Sequence, residues 1–153
     1  MKNIKILLVI GMFAASMQVN AQTKPALKKY KVPPLYTQIG GLRDSVSIPV
    51  SEAENIIGQP LKIFDDKKGL YTISSYQFLY RKRGVTEDEE SGKASPVNTI
   101  VSSRFKITPL PETWISQVRE QLKAGEELFF FDVIAKDAQG RVMYAPNLKI
   151  IVK

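Results

Sequence analysis

The sequence of 153 residues contains no cysteine and no histidine. Without cysteine the chain forms no disulfide and offers neither a thiol nucleophile nor a zinc-thiolate site. Without histidine it has no imidazole metal ligand, no Ser-His or Cys-His catalytic pair, and no side chain that ordinarily titrates near neutral pH. Hydrophobic residues make up 44% of the chain and charged residues 24%, which is typical of a folded globular protein. The composition therefore predicts a folded, non-enzymatic protein, and we expect neither a cofactor nor a bound metal ion.

The first 21 residues have the pattern of a cleavable export signal. Two lysines precede an apolar run over residues 6–17. A run of this length falls short of the roughly 20 residues that cross a hydrocarbon core of about 30 Å. Small residues near its end predict cleavage between Ala21 and Gln22. We therefore expect a periplasmic protein with no membrane span after cleavage, and not a lipoprotein, because no cysteine follows the apolar run.

Residues 22–34 form a basic segment that ends in Pro33-Pro34, and we expect it to be an extended tether. The whole chain carries a formal net charge of +7. From Val32 onward, however, 16 basic residues face 15 acidic ones, so the excess positive charge belongs to the leader and the tether. A nucleic-acid-binding domain would carry a basic patch on its folded body. Nucleic acid is therefore not an expected partner.

Most of the remaining chain shows the two-residue periodicity of strands. Residues 101–107 and 148–152 alternate between apolar and polar side chains. The alternation over 70–80 slips near Ser74-Ser75, which predicts a β-bulge. Residues 128–135 are apolar on both faces, as in a central strand, and the Asp137–Gly140 segment predicts a hairpin turn after them.

Two segments have helical patterns. Residues 111–124 begin with Pro111 at the expected first helical position, carry an apolar stripe and are followed by Gly125. A short helical turn is predicted over 51–57, with a capping box formed by Ser51 and Glu54. We predict a mainly β fold, a two-layer immunoglobulin-like β-sandwich with one amphipathic helix, in a single domain over residues 35–153.

The most conspicuous charged feature is an acidic run at residues 87–90. Its acids are contiguous, whereas a calcium loop places its ligands on alternate residues. We interpret residues 84–98 as a solvated hairpin loop, with a basic run just before it. The two runs are the candidate partner-binding residues: Arg81, Lys82, Arg83, Glu87, Asp88, Glu89 and Glu90.

Other residues allow chemical interpretations that the sequence alone leaves open. Asp132 interrupts an apolar strand. It is either a functional buried acid, or a residue at an edge position or hydrogen-bonded to a nearby backbone amide or to an arginine such as Arg141. The carboxylate pairs Glu112–Glu120 and Glu126–Asp132 would suit an envelope hydrolase if they converged in a cleft. Trp114 and the phenylalanines at 129–131 form either the core or an aromatic-lined cavity of a small-ligand carrier.

The segment Gln121–Arg141 resembles the closing stretch of GldM, a periplasmic protein family of type IX secretion and gliding motility in Bacteroidota. Gly40-Gly41, Phe64 and the Tyr71–Tyr76 segment are similar to positions of the same terminal domain. Full-length members of that family carry a transmembrane helix and three preceding periplasmic domains, which this sequence does not show. The resemblance implies a stand-alone, β-rich paralogue that docks onto other periplasmic or outer-membrane proteins, with a homodimer as one candidate assembly.

Overall fold

The computed structural model describes residues 30–153, and strands account for 52% of these residues. The nine strands are β1 Leu35–Ile39, β2 Leu42–Arg43, β3 Ser45–Ile48, β4 Lys62–Asp65, β5 Leu70–Glu87, β6 Ala94–Phe105, β7 Glu127–Lys136, β8 Val142–Ala145 and β9 Leu148–Val152. The two helices are α1 Val50–Ile56 and α2 Glu112–Gln121. The predicted export signal and the Ala21–Gln22 cleavage site lie outside the described residues. Residues 30–34, the described part of the predicted tether, have no regular secondary structure.

Strand periodicity places the core on one face of the sheet. In β9 the residues Leu148, Ile150 and Val152 are buried, while the two residues between them are only partly covered. The same alternation holds at the end of β6, where Phe105 is buried and Arg104 is exposed. The apolar and polar positions of these segments therefore determine which face of each strand lies inside.

The longest strand, β5, has 18 residues and connects most of the sheet. It pairs with β7 along one side and, in succession, with β4 and β6 along the other. Its pairing with β7 shifts on both sides of Ser75, which confirms the predicted bulge. The shift brings Tyr76, Phe78 and Tyr80 onto the buried face.

All nine strands belong to one sheet, with the order β2-β1-β4-β5-β7-β9-β3, and β6 and β8 attached to β5 and β7. The sheet is nearly closed, because Thr37 Oγ1 of β1 donates a hydrogen bond of 2.5 Å to the carbonyl of Pro146, between β8 and β9. The mainly β prediction is confirmed, whereas the two-layer sandwich is not. A single sheet that curves back on itself buries its inner face without a second sheet.

The last strand, β9, pairs with the early strand β3. The two strands are parallel, with Ser45 opposite Lys149 and Ile48 opposite Val152. All other strand pairs in residues 30–153 are antiparallel.

Two tight turns connect neighbouring antiparallel strands. Gly40-Gly41 forms a two-residue turn between β1 and β2, and both of its φ angles are positive. The predicted turn between β7 and β8 is also present and is closed by a hydrogen bond from the Gly140 N–H.

Helix α2 packs against the core through Trp114, Ile115 and Val118. It spans 112–121 instead of the predicted 111–124. Pro111 occupies the N-cap position and not the first helical position, and the helix ends early because Leu122 is in an extended conformation. Helix α1 begins at Val50 after an N-cap at Pro49, and no side chain caps it, so the predicted Ser51–Glu54 capping box is wrong. These are the only helices among residues 30–153, and neither has the length and apolar character needed to cross a membrane.

Aromatic rings fill the centre of the core. Phe130 packs against Phe78 with ring centroids 4.9 Å apart and against Tyr76 at 6.0 Å. Trp114 of α2 meets the rings of Phe78 and Phe105 edge-on, at 5.9 and 5.4 Å. Helix and sheet are thus joined through one aromatic cluster, in which centroid spacings of about 4.5–7 Å are favourable.

Replacing the ring at the centre of this cluster should be strongly destabilising. Phe130 is only 1% exposed, so Phe130→Ala leaves a cavity and should lower the free energy of unfolding by about 3–5 kcal/mol. Urea denaturation measures this loss. The matched control is Val142→Ala, because Val142 is 60% exposed and its truncation should change stability by no more than about 0.5 kcal/mol. Equal effects of the two substitutions would contradict this description of the core.

Candidate interaction surface

Strands β5 and β6 continue beyond the rest of the sheet as a two-stranded ribbon. The last β5–β7 pair is Arg81 with Glu127, yet the β5–β6 pairing continues to Glu87 with Ala94. We call residues 82–99 the arm. Residues 83–99 are all exposed. The predicted loop over 84–98 is therefore wrong in extent: only residues 88–93 lie outside the two strands.

The basic residues of the predicted surface lie where the arm leaves the sheet. Arg81 forms a 3.3 Å ion pair with Glu127, which also pairs with Lys149 at 3.2 Å. Lys82 donates a hydrogen bond to the side-chain oxygen of Gln121, at the end of α2. These side chains therefore tie the base of the arm to the neighbouring strands and helix, in addition to presenting positive charge.

The acidic residues lie at the other end of the arm. The Asp88 carboxylate accepts hydrogen bonds from the Ser91 backbone N–H at 2.7 Å, the Ser91 hydroxyl at 2.8 Å and the Glu90 N–H at 3.1 Å. The two bonds from Ser91 are the main reason that the pKa of Asp88 lies below its ordinary value. Glu87 lies six residue steps beyond Arg81 along the strand, about 20 Å at 3.3 Å per residue. The structure thus divides the predicted surface into a basic base and an acidic tip.

A buried carboxylate lies beside the base of the arm. The side chain of Glu126 is 2% exposed and accepts hydrogen bonds from the Tyr80 hydroxyl, from the Lys123 N–H at 3.0 Å and from the Arg83 N–H at 3.2 Å. Its three donors come from the arm base, the core side of β5 and the turn after α2. Burial, and then the hydrogen bond to this carboxylate, raise the pKa of Tyr80.

From the sequence, Glu126 was considered only as a possible catalytic partner of Asp132. The one sequence feature that could have indicated its special position is the preceding Gly125, which has a φ of +87°, a conformation that favours glycine. A Cβ at Gly125 would also lie 3.0 Å from Nη1 and 3.2 Å from Cδ of Arg83. The glycine therefore allows the chain to turn beneath the Arg83 side chain and direct the next residue, Glu126, inward.

The proposed catalytic carboxylates have separate environments. Asp132 has a side chain 54% exposed, accepts a 2.6 Å hydrogen bond from Gln77 and lies 3.9 Å from Arg104. Arg141, suggested as its partner, instead pairs with Asp137 at 2.6 Å. Glu126 is enclosed by its own donors. Glu112 and Glu120 are eight residues apart, about 12 Å along a helix axis, beyond the roughly 9.5 Å limit for a hydrolase pair.

The predicted aromatic cavity residues are divided between the core and the outer face. Trp114 and Phe130 belong to the packed cluster, while Phe129 and Phe131 stack on each other at 5.1 Å and are partly exposed. An apolar cleft of about 320 Å³ lies elsewhere, beside the part of β5 between its pairing with β4 and its pairing with β6, and Tyr71 is its one aromatic lining residue. The geometry therefore gives no specific support to an aromatic-lined carrier.

No cluster of three or more potential metal-ligating side chains occurs within residues 30–153. No protein-family model matches the chain, and no curated protein is detectably similar to it. The arm and its anchoring at Glu126 are therefore the basis for a functional proposal.

Removing the charge at Glu126 should loosen the base of the arm. In Glu126→Gln one carboxylate oxygen becomes an NH₂ group that cannot accept a hydrogen bond, so at least one buried donor loses its partner. We expect stability to fall by about 1–3 kcal/mol, measured by urea denaturation with an unchanged m-value. Glu87→Gln is the control, because Glu87 is exposed on the arm and its neutralisation should cost less than about 0.5 kcal/mol. A neutral result for Glu126→Gln would mean that the three contacts do not hold in solution.

The turn at the tip makes a separate prediction about pH. Because hydrogen bonds to the ionised form lower the pKa of Asp88, the turn is stabilised at neutral pH and loses that stabilisation as the pH falls below about 4. Ser91→Ala removes the hydroxyl donor but keeps the N–H, so the pKa of Asp88 should rise while staying below its ordinary value. Titration by NMR of the carboxyl carbon measures the change. Ser95→Ala should leave this pKa unaltered, and an equal rise in that variant would contradict the assignment.

Proposed function

We propose that this protein is a non-enzymatic, periplasmic protein–protein interaction module that binds other envelope proteins through the arm. The observation that carries the proposal is the projection of β5 and β6 beyond their neighbours as an exposed ribbon. A two-stranded hairpin alone is only marginally stable in water. A ribbon of this length is anchored at one end by Glu126 and gains further stability when a partner covers it.

The arm exposes apolar side chains together with separated charges. Val85 is 72% exposed and Val97 is 43% exposed, and they project from opposite faces of the ribbon. Beyond Arg81, no strand among residues 30–153 lies beside β5 on the side that β7 occupied. An exposed strand edge of this kind offers backbone hydrogen bonds to an extended segment of another protein. The acidic tip favours a partner with basic residues at the matching end.

The resemblance to GldM supports a more specific proposal. A terminal domain of that family type would place this protein among accessory components of type IX secretion or gliding motility. The segment that carries the resemblance, Gln121–Arg141, includes the turn with Gly125 and Glu126 and the whole of β7. Those residues hold the base of the arm, so the resembling segment and the proposed docking element are adjacent in the fold.

Site-specific photocrosslinking in intact cells tests the proposal. A crosslinking amino acid at Val85 should give adducts with a different envelope protein, which mass spectrometry then identifies. The matched control carries the crosslinker at Tyr144, which is 77% exposed but lies on β8, away from the arm. Crosslinking at Val85 should be at least about tenfold stronger than at Tyr144 if the arm is a docking element.

The outcomes separate the two levels of the proposal. Adducts at Val85 with envelope proteins unrelated to type IX secretion would support the module and overturn the GldM-like assignment. Equal labelling from Val85 and Tyr144 would overturn the arm as the docking element.

A further inference from the structure

The outer edge of β6 is a long, unpaired strand edge. The strand has 12 residues, and β5 is its one strand neighbour among residues 30–153. No backbone hydrogen bond from its outer side to any part of this region is present. A regular edge of this length is a template for another strand, and folded proteins usually cover or interrupt such edges.

Pro96 indicates which backbone groups of β6 face outward. Proline has no N–H, so it is tolerated in a sheet where its nitrogen points away from the paired strand. The β5–β6 register is continuous from Phe105 to Ala94, with no shift. Alternation therefore directs the N–H and C=O groups of Asn98, Ile100 and Ser102 outward as well, together with those of Arg104.

The charges along this edge are self-complementary under a two-fold rotation. The tip carries the four acids of Glu87–Glu90 and one lysine, Lys93, so it is acidic on balance. The opposite end carries Arg104 and Lys106 with Asp132 3.9 Å from Arg104, so it is basic on balance. These two ends lie about 33 Å apart, ten residues at 3.3 Å each. A second β6 strand added antiparallel brings each acidic tip beside the other copy's basic end, whereas parallel addition brings like charges together.

One register fits both the outward groups and the exposed apolar side chains. With the two-fold axis at Ile100, that residue forms a hydrogen-bonded pair with the partner's Ile100. Asn98 then lies opposite the partner's Ser102. Ile100 is 54% exposed in the single chain, and this pairing covers two such side chains with each other on the same face of the joined sheet.

We propose that two copies of this chain join through antiparallel pairing of their β6 strands about a two-fold axis at Ile100. The pairing gives one continuous sheet across both copies. It leaves the free side of β5 in the arm open, so the dimer and the docking of an envelope partner use different strand edges. Isologous two-fold contacts of this kind are the commonest form of self-association.

The cysteine-free sequence allows a sharp crosslinking test. In the full chain, Ile100→Cys is the one thiol, and directly opposed hydrogen-bonded residues have Cα atoms about 5.5 Å apart, within the disulfide range of about 4.4–6.8 Å. Mild oxidation should convert most of this variant into a covalent dimer. Val85→Cys is the matched control and should remain monomeric. Val85 lies on the same face of the β5–β6 pair as Ile100, but on β5 and away from the proposed two-fold axis.

A second measurement tests the charge argument on the cysteine-free chain. Sedimentation equilibrium should show a dimer whose dissociation constant rises at least about tenfold in Arg104→Glu/Lys106→Glu. Combining this pair with Glu87→Lys/Glu89→Lys should restore the affinity, because the opposed charges are exchanged. Strictly monomeric behaviour at the highest soluble concentration would overturn the proposal. So would crosslinking of Val85→Cys as complete as that of Ile100→Cys, or a dimer in which Ile100→Cys does not crosslink.

Discussion

The burial of one carboxylate determines where the arm leaves the sheet. Glu126 is enclosed, and a charge in that position is tolerated because its oxygens accept three hydrogen bonds. Those donors belong to Tyr80, Arg83 and Lys123, so a single group connects the core strand, the start of the arm and the turn after α2. The aromatic cluster of the core contributes apolar burial, which is non-directional. The hydrogen bonds to the carboxylate are directional, so they fix the orientation of the arm relative to the sheet. The arm can project into solvent because its base is held this firmly.

The elements that local periodicity determines could be predicted from the sequence. The alternation in residues 148–152 identified both the strand and its buried face, and the slip near Ser74-Ser75 identified the bulge. The arm could not be predicted in this way. Its residues include glycine, proline and contiguous acids, which are typical of loops, yet the register with the facing strand keeps both sides extended. The closure of the sheet could not be predicted from local sequence patterns either, because it depends on pairings between residues far apart in the sequence, such as Ser45 and Lys149.

The candidate site shows a similar division. The acids 87–90 were placed correctly in a hairpin that follows the basic run 81–83, but the predicted loop was too long. The separation of the two runs into two ends follows from the strand length and not from their order. Glu126 could not be recognised as buried, because its decisive partner, Tyr80, is 46 residues away. For Asp132 the sequence left two interpretations open, a buried acid or an edge or hydrogen-bonded residue, and the structure shows the second. Its backbone has a positive φ of 48°, and its exposed side chain accepts a hydrogen bond from Gln77 and not from Arg141.

The parallel pairing of β3 with β9 has a consequence for how the chain is made. Strand β3 emerges early in synthesis, yet its partner is complete only when Val152 has left the ribosome. Until then β3 lacks its parallel partner, and the conformational entropy of closing a segment of about a hundred residues has not been overcome. The β3–β9 pairing can therefore form only after the whole segment between the two strands has been made, whereas antiparallel neighbours such as β5 and β6 can pair before it.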